Sequence, residues 1–351
     1  MIHVSLRDLQ WRRRRYVIVV FVASLAFGLA LLMSGVSYGL SQEGDNMLEL
    51  FGADRWIVPE SVDGPFSTTQ LLAATELDAV AAQPDVTAVS ALLIGRTMID
   101  GVGVNVIGYD PASAMLPAKL ADARANMHNP DAPIVDALFA GGLGDTFELN
   151  GRRLTVGAEV SGTAFYFSMP TVWLPLPAVQ SSLFAGQDVA TAFVVQGELD
   201  PATGASATID VLTNADAQAD YDRVLGATAD TLNIINTLLW LMATGVVAAI
   251  VYVSVLERSR DFATLKAVGV ANRSLIGGLL AQSSALSLAS AVAAVGVAKA
   301  LSPSFGFPVT MPADAYAQLL VVALGVGVLA SLVGIRKITR IDPALAFGGA
   351  A

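Results

Sequence analysis

The sequence predicts an α-helical membrane protein with four transmembrane helices, one before and three after a mixed α/β extracytoplasmic domain. Three observations predict it. The 351 residues are 54% hydrophobic and only 14% charged, with a mean hydropathy of +0.61, whereas roughly a quarter of a soluble domain is charged. Residues 16–40, 232–256, 275–298 and 316–335 are four windows without a charged side chain, each long enough for a helix to cross a hydrocarbon layer of ~30 Å. Charge is also split along the chain. Residues 41–230 hold 25 of the 30 acidic residues but 7 of the 20 basic ones. Of the other 13 basic residues, all but Lys299 fall before the first window, between the second and third, or after the fourth. Those places share one side of a four-span chain, and the positive-inside rule makes that side cytoplasmic. The expectation is a multi-pass protein of the cell membrane with both termini in the cytoplasm.

The elements follow in order. Residues 1–15 mix Ile2, Val4, Leu6, Leu9 and Trp11 with Arg7, Asp8, Gln10 and four consecutive arginines, the composition of a short cytoplasmic interfacial helix. Residues 16–40 form a run too long for a secretory h-region, with no clear Ala-x-Ala site before Glu43, so an uncleaved first span is expected. Residues 41–230 are enough to bury a core of their own. Within them Ser67-Thr68-Thr69-Gln70 has the spacing of a capping box ahead of Leu71, Leu72, Leu77 and Val80, which predicts a helix ending near Pro84.

Residues 86–109 are rich in β-branched side chains and broken by Asp100-Gly101, and residues 147–156 alternate around Asn150-Gly151. Both read as hairpins whose turns need positive φ. Residues 191–195 read as a strand, and 202–225 as partly helical, leading into the second span at 231–256. A cytoplasmic segment at 257–274, a third span at 275–300, a short outer loop at 301–315, a fourth span at 316–335 and a cytoplasmic tail at 336–351 complete the chain. Lys299, at an outer helix end, has a stem long enough to snorkel.

The residues that carry chemistry in enzymes are scarce. Cysteine is absent, the dipeptide Gly-Lys of a P-loop occurs nowhere, and Gly-x-Ser-x-Gly is missing. His3 and His128 stand apart from any metal-ligand spacing. No catalytic residue, no metal site, no bound cofactor and no nucleic-acid partner is expected. Gly101-Val102-Gly103 reads as a turn. Carboxylates are plentiful outside, with nothing to single out a pair. Asn233, Asn236, Gln282, Ser283 and Ser284 lie in the spans, and hydrogen bonding between helices is the expected use. Ala281, Ala285, Ala289 and Ala293 form a small-xxx-small ladder for helix packing on the third span, and Gly325, Gly327, Ala330 and Gly334 suit the same role on the fourth.

The most informative segment lies between the second and third spans. Glu257 and Arg260, and Arg258 and Asp261, are opposite charges three apart, while Phe262, Leu265 and Val268 form an apolar stripe. Gly269 suits a C′ cap and Asn272 an N-cap for the next span. A short amphipathic helix with a protein over its stripe and a solvated loop dipping into lipid both fit these residues.

Glu-Arg-x-Arg-Asp-x-Ala-x-Leu-Lys-Ala-x-Gly at 257–269 resembles the cytoplasmic segment of FtsX-like, MacB-type ABC transporter permeases. Residues 338–346, with Arg340, Asp342, Pro343 and Ala346, are similar to that family's C-terminal ending, and residues 50–58 to the start of its external domain. The one-plus-three layout covers the whole chain. The resemblance implies a permease that pairs with a second permease, as a homodimer or heterodimer, and with two copies of a separate ATPase that binds ATP and Mg. Glu257, Arg258, Arg260, Asp261, Phe262, Leu265 and Lys266 would then couple to the ATPase, with Gly269 ending the coupling helix. Stalk motion would drive export or extraction of a substrate, or activate an extracytoplasmic cell-wall hydrolase in a signalling variant.

Overall fold

The computed structural model describes residues 13–199, 208–257, 259–304, 309, 311 and 313–339. The expected interfacial helix at the N-terminus, Arg258, and the C-terminal motif from residue 340 onward lie outside them. The chain divides into two compact units, one comprising Leu40–Ala229 and the other the described residues on either side. Two helices belong to both. Helix α1, Arg13–Phe51, gives residues 13–39 to one unit and 40–51 to the other; helix α4, Asn214–Glu257, is likewise divided at residue 230.

Among the described residues, four helices are long and apolar enough to cross a membrane: α1, α4, α6 (Asn272–Leu301) and α7 (Ala313–Thr339). In their unit Phe27, Leu31 and Leu32 of α1 pack with Val247 and Val251 of α4, Ala291 and Ala294 of α6, and Ala323 and Ala330 of α7. The outward residues, among them Phe21, Ile234, Leu241, Val321 and Leu329, are also apolar. A bundle apolar inside and outside suits a lipid solvent.

Close approach is built from small residues. A Cβ on Gly327 would lie 2.7 Å from the Ser284 Cα, and one on Gly334 would lie 2.6 Å from Leu279 Cδ2. Gly28 similarly meets Val297 at 2.8 Å and the Ala294 carbonyl at 3.2 Å. Gly325, by contrast, has nothing within 4 Å. The expected alanine ladder of α6 needs correction: Ala281, Ala285 and Ala289 are exposed and Ala293 half-buried, while Ser283, Ser287, Ser290, Ala291, Ala294 and Ala298 are buried. Serine is nearly as small as alanine, and the Ser283 and Ser290 hydroxyls donate to carbonyls four residues back, Leu279 and Leu286, at 3.0 and 2.9 Å. The polar atom is thereby satisfied within its own helix. Gln282 Nε2 donates to the Tyr16 hydroxyl at 2.6 Å and Asn236 Nδ2 to Ser34 Oγ at 3.0 Å, the interhelical use expected of them. Asn272 does not cap α6 as expected; it is the first helical residue, and the cap position is held by extended Ala271.

The other unit is built on an eight-stranded sheet in the order β12-β1-β11-β3-β4-β9-β5-β8. Its strands are β1 (Arg55–Pro59), β3 (Val86–Ile99), β4 (Val102–Tyr109), β5 (Ile134–Asp136), β8 (Ala158–Val160), β9 (Thr171–Pro175), β11 (Ala192–Gly197) and β12 (Ile209–Thr213). Pairing is antiparallel except for β4 with β9 and β5 with β8. Two small ladders join β2 (Leu72–Ala73) to β10 (Val189–Ala190) and β6 (Thr146–Leu149) to β7 (Arg152–Thr155), and helix α3 (Leu176–Leu183) packs on β3 and β4.

Both expected hairpins form. Asp100 and Gly101 have φ of 50° and 82°, Asn150 and Gly151 of 47° and 80°, the left-handed pair that a two-residue hairpin turn requires. The strand expected at 191–195 is β11. The helix expected from the Ser67 capping box is displaced. Residues 72–73 are a strand, Ala74–Glu76 a 3-10 turn, and α2 is only Leu77–Ala81. The Ser67 hydroxyl goes to Asp220 instead, so the cap's oxygen has a tertiary partner. The segment read as partly helical at 202–225 contains strand β12 before α4 begins, because Ile209 and Val211 alternate into the core beside β1.

Gly327→Leu is expected to lower the thermal unfolding midpoint of the detergent-solubilised chain, by about 1–3 kcal/mol of stability, since backbone must shift to admit the side chain. Gly325→Ala should leave the midpoint unchanged or higher. Equal midpoints for the two variants would show that α6 and α7 do not meet through Gly327.

Candidate functional site

Helix α5 spans Ser259–Ala267 and ends in a Schellman motif: Val270 N–H donates to the Leu265 carbonyl at 2.9 Å and Gly269 N–H to Lys266 at 3.0 Å, with Gly269 at φ 94°. Val270 and Leu265, the pair such a motif brings together, both pack against the helix-bundle core. Gly269 therefore ends this helix as its sequence predicts.

The apolar stripe needs correction. Phe262 is 7% exposed and Ala263 is buried in the bundle core, with Leu265 half-buried against it, whereas Val268 is 80% exposed. Phe262 and Leu265, three apart, share the inward face; Val268 lies past the last helical residue, where the motif turns the backbone away. Glu257, Arg260, Asp261 and Thr264 are exposed and Lys266 is half-buried.

A second constellation lies in the external domain, where the outer part of α1 and the first part of α4 meet two loops. Tyr166, Phe167 and Ser168 have φ of 56°, 65° and 54°. Three successive non-glycine residues in the left-handed region cost of order 1–2 kcal/mol each. The turn is closed at its base by Phe165 and Met169, which exchange backbone hydrogen bonds at 3.2 and 3.0 Å. Buried Asn105 of β4 donates to both their carbonyls, at 3.1 and 3.3 Å.

Glu43 of α1 supplies what the turn needs. Its carboxylate accepts the Phe167 N–H at 3.0 Å, the Ser168 N–H at 2.6 Å, the Ser168 hydroxyl at 2.9 Å and the Tyr221 hydroxyl at 3.1 Å. Successive N–H groups of such a turn form a concavity that binds anionic oxygen. Tyr221, on α4, also accepts the Tyr166 N–H at 2.9 Å through its hydroxyl. One phenol thus links both helices to the turn.

The adjacent residue of α4, buried Asp220, holds the other loop. It accepts the Phe66 N–H at 2.8 Å, the Ser67 N–H at 3.2 Å and the Ser67 hydroxyl. The loops are themselves joined: the Tyr166 hydroxyl and Arg96 Nη2 both donate to the Phe66 carbonyl, at 2.7 and 3.2 Å, and the Arg96 guanidinium sits 3.7 Å above the Tyr166 ring. Burial pushes the Tyr166 phenol above the ordinary tyrosine range, with Arg96 pulling the other way, so the hydroxyl stays a donor at neutral pH. Phe66 packs edge-on against Tyr221 and Trp56.

None of these clamp residues stands out in the sequence. Glu43 is the first charge after a span and Asp220-Tyr221 precedes another, which marks their place but not their partners. The turn has no glycine, asparagine or aspartate to betray its positive φ.

Glu43→Ala is expected to reduce stability by about 1.5–3 kcal/mol, the range for hydrogen bonds to a charged group, while Phe167→Gly, at an exposed left-handed position, should not reduce it. Thermal unfolding followed by tryptophan fluorescence reads this, since Trp56 and Trp173 lie buried in the external domain. An unchanged midpoint for E43A would remove the carboxylate from the role described.

Residues 233–343, which include α5 and its flanking spans, match the family described as FtsX-like permease C-terminal. Over 353 aligned residues the chain is 33% identical to an uncharacterized ABC transporter permease of Mycobacterium tuberculosis (strain ATCC 25618 / H37Rv), covering 99% of this chain and 100% of that one. It is 23% identical, over 99% of both chains, to a putative hemin transport system permease protein HrtB of Staphylococcus haemolyticus. Among solved structures, the periplasmic region of MacB from Actinobacillus actinomycetemcomitans aligns with a TM-score of 0.35 at 11% identity, over 51% of this chain and 96% of that one. The chain belongs to the FtsX-like family of ABC transporter permeases.

Proposed function

We propose that this permease passes the work of ATP hydrolysis mechanically from separate ATPase subunits to its external domain, where the motion drives export or extraction of a substrate. In this reading the protein sits in the cell membrane with both termini cytoplasmic. It pairs with a second permease and engages two ATPase copies, which hold the ATP and Mg. The observation that carries the reading is the clamp. Glu43 lies on α1, and Asp220 and Tyr221 lie on α4, the two helices that also supply apolar spans. A displacement of α1 against α4 cannot leave the Glu43–Tyr221 contact unchanged, and that contact holds a turn in a conformation it would not keep alone. Packed elements with discrete arrangements convert small shifts into larger ones.

The cytoplasmic end fits the same role with a modified division of labour. Phe262, Ala263 and Leu265 anchor α5 to the bundle, and the partner meets the opposite face, with Arg260, Asp261, Thr264 and Val268. An anchored helix transmits a push to α4 and α6, where a loosely attached one would pivot. The residues that the family resemblance assigns to the ATPase contact thus separate into anchors and contacts.

Thr264→Asp combined with Val268→Asp is expected to weaken association with the cognate ATPase at least about tenfold, or ~1.4 kcal/mol, without moving the unfolding midpoint. Phe262→Asp, by contrast, should lower the midpoint, because it places a charge in the core. Copurification and a titration of detergent-solubilised permease with the ATPase read both. Undiminished affinity of the T264D/V268D chain would defeat the docking face proposed.

A further inference from the structure

The hairpin of β3 and β4 ends in exposed apolar residues, Met98 at 65% and Val102 at 48% exposure, with Asp100 and Gly101 between them at the apex. Met98 pairs with Gly103 across the hairpin. A Cβ on Gly103 would lie 3.2 Å from Met169 Cε and 3.9 Å from Met98 Sδ, so both thioethers converge on the space that this glycine leaves. Met169 closes the left-handed turn whose Phe167 is 41% exposed. Met98, Val102, Met169 and Phe167 therefore gather at one end of the external domain. Exposed apolar clusters on otherwise polar surfaces mark contacts with proteins or membranes.

The place of this end decides between the two. Phe51 of α1 stacks on Tyr109 of β4, with ring centroids 6.2 Å apart, and Glu43 of α1 binds the turn that Asn105 of β4 supports. From Phe51 back to Glu43 the helix rises ~12 Å, and from Tyr109 back to Asn105 the strand spans ~13 Å. Helix and strand thus run side by side over this stretch, toward the end of the apolar run at Leu40. Leu40 lies only ~4.5 Å of helix beyond Glu43, whereas the hairpin apex lies roughly 13–16 Å of strand beyond Asn105. Measured along this helix and strand, the apex reaches past Leu40, the last residue of the apolar run.

We infer that the β3–β4 tip, together with the 166–168 turn, rests in the outer-leaflet interface and contacts lipid through Met98, Val102 and Phe167. The inference shares with the proposed function only the position of the bilayer at the outer end of α1. Methionine side chains are flexible and polarizable enough to pack against disordered acyl chains, and a phenylalanine ring suits the apolar face of an interfacial segment. Of the charged residues nearest these side chains, Asp100 and Glu43 are acidic, and Arg96, two residues before Met98, is held against the Tyr166 ring and the Phe66 carbonyl, so the contact is apolar and does not depend on anionic headgroups. A foot in the lipid beside the turn held by Glu43 would give the domain a fulcrum against which α1 and α4 act.

The chain contains no cysteine, so Met98→Cys, Val102→Cys and, as a control at the opposite end of β3, Asp85→Cys each give one labelling site in the whole chain. Each is labelled with bimane in phosphatidylcholine nanodiscs and challenged with a lipid carrying a nitroxide near the headgroup, and separately with aqueous iodide. Labels at 98 and 102 should lose about half their fluorescence to the nitroxide lipid, as fits insertion ~5–10 Å into the boundary, and little to iodide; the label at 85 should do the reverse. All three sites are exposed, and an unchanged unfolding midpoint confirms that each labelled chain is folded. If 98 and 102 respond only to iodide, the tip is in water and the inference fails. It fails equally if they respond to neither quencher, which would mean that a second copy or another protein covers the tip.

Discussion

A single carboxylate, Glu43, receives two backbone amides, a serine hydroxyl and a tyrosine hydroxyl, and through it the outer part of α1 holds a strained turn and meets α4. The turn from Tyr166 to Ser168 has no intrinsic preference for left-handed backbone, since each residue carries a Cβ that this conformation crowds. It is held there by anion binding from above and by Asn105 from below. Through Tyr221 the same carboxylate reaches α4, and through Tyr166, Phe66 and Asp220 the network returns to α4 by a second route. Closed networks of this kind hold their members more firmly than separate pairs do, because each group is oriented by more than one partner.

The helix between the second and third spans reaches rigidity by different means. Helix α5 has nine residues, too few to be stable alone in water. Burial of Phe262 and Ala263, the half-buried Leu265, and the Schellman closure at Gly269 give it tertiary support at both its face and its end. Apolar burial anchors the inner face, and the outer face is left polar except for Val268. The two sites therefore differ in chemistry: charge-assisted hydrogen bonds hold the loops of one unit, and apolar packing holds α5 beside the bundle of the other.

Within the bundle, packing between apolar helices has little hydrophobic drive, because lipid is as apolar as the side chains it replaces. Small residues at crossing points do the work, as at Gly28, Gly327 and Gly334. On α6 the buried face combines Ser283, Ser287 and Ser290 with Ala291, Ala294 and Ala298, and leaves Ala281, Ala285 and Ala289 outward. Alanine and serine are alike in size, so a spacing rule finds a ladder of small residues without telling which of two adjacent faces is buried.

The class, the number of apolar helices, the two type-I′-like hairpins and the end of α5 are legible in the sequence. Each rests on a property that does not need distant neighbours: apolar length, charge asymmetry, a left-handed residue pair, a glycine after a short amphipathic run. The remaining features come from contacts between distant parts of the chain. The capping-box serine was claimed by Asp220 from 153 positions away, the stripe of α5 was divided by the bundle, and the clamp was assembled from residues 43, 66, 96, 166–168 and 220–221 that share no local pattern. Local propensity is set by a residue and its near neighbours, whereas a buried charge or a strained turn is stable only once its partners have been brought to it, and only the folded chain brings them together.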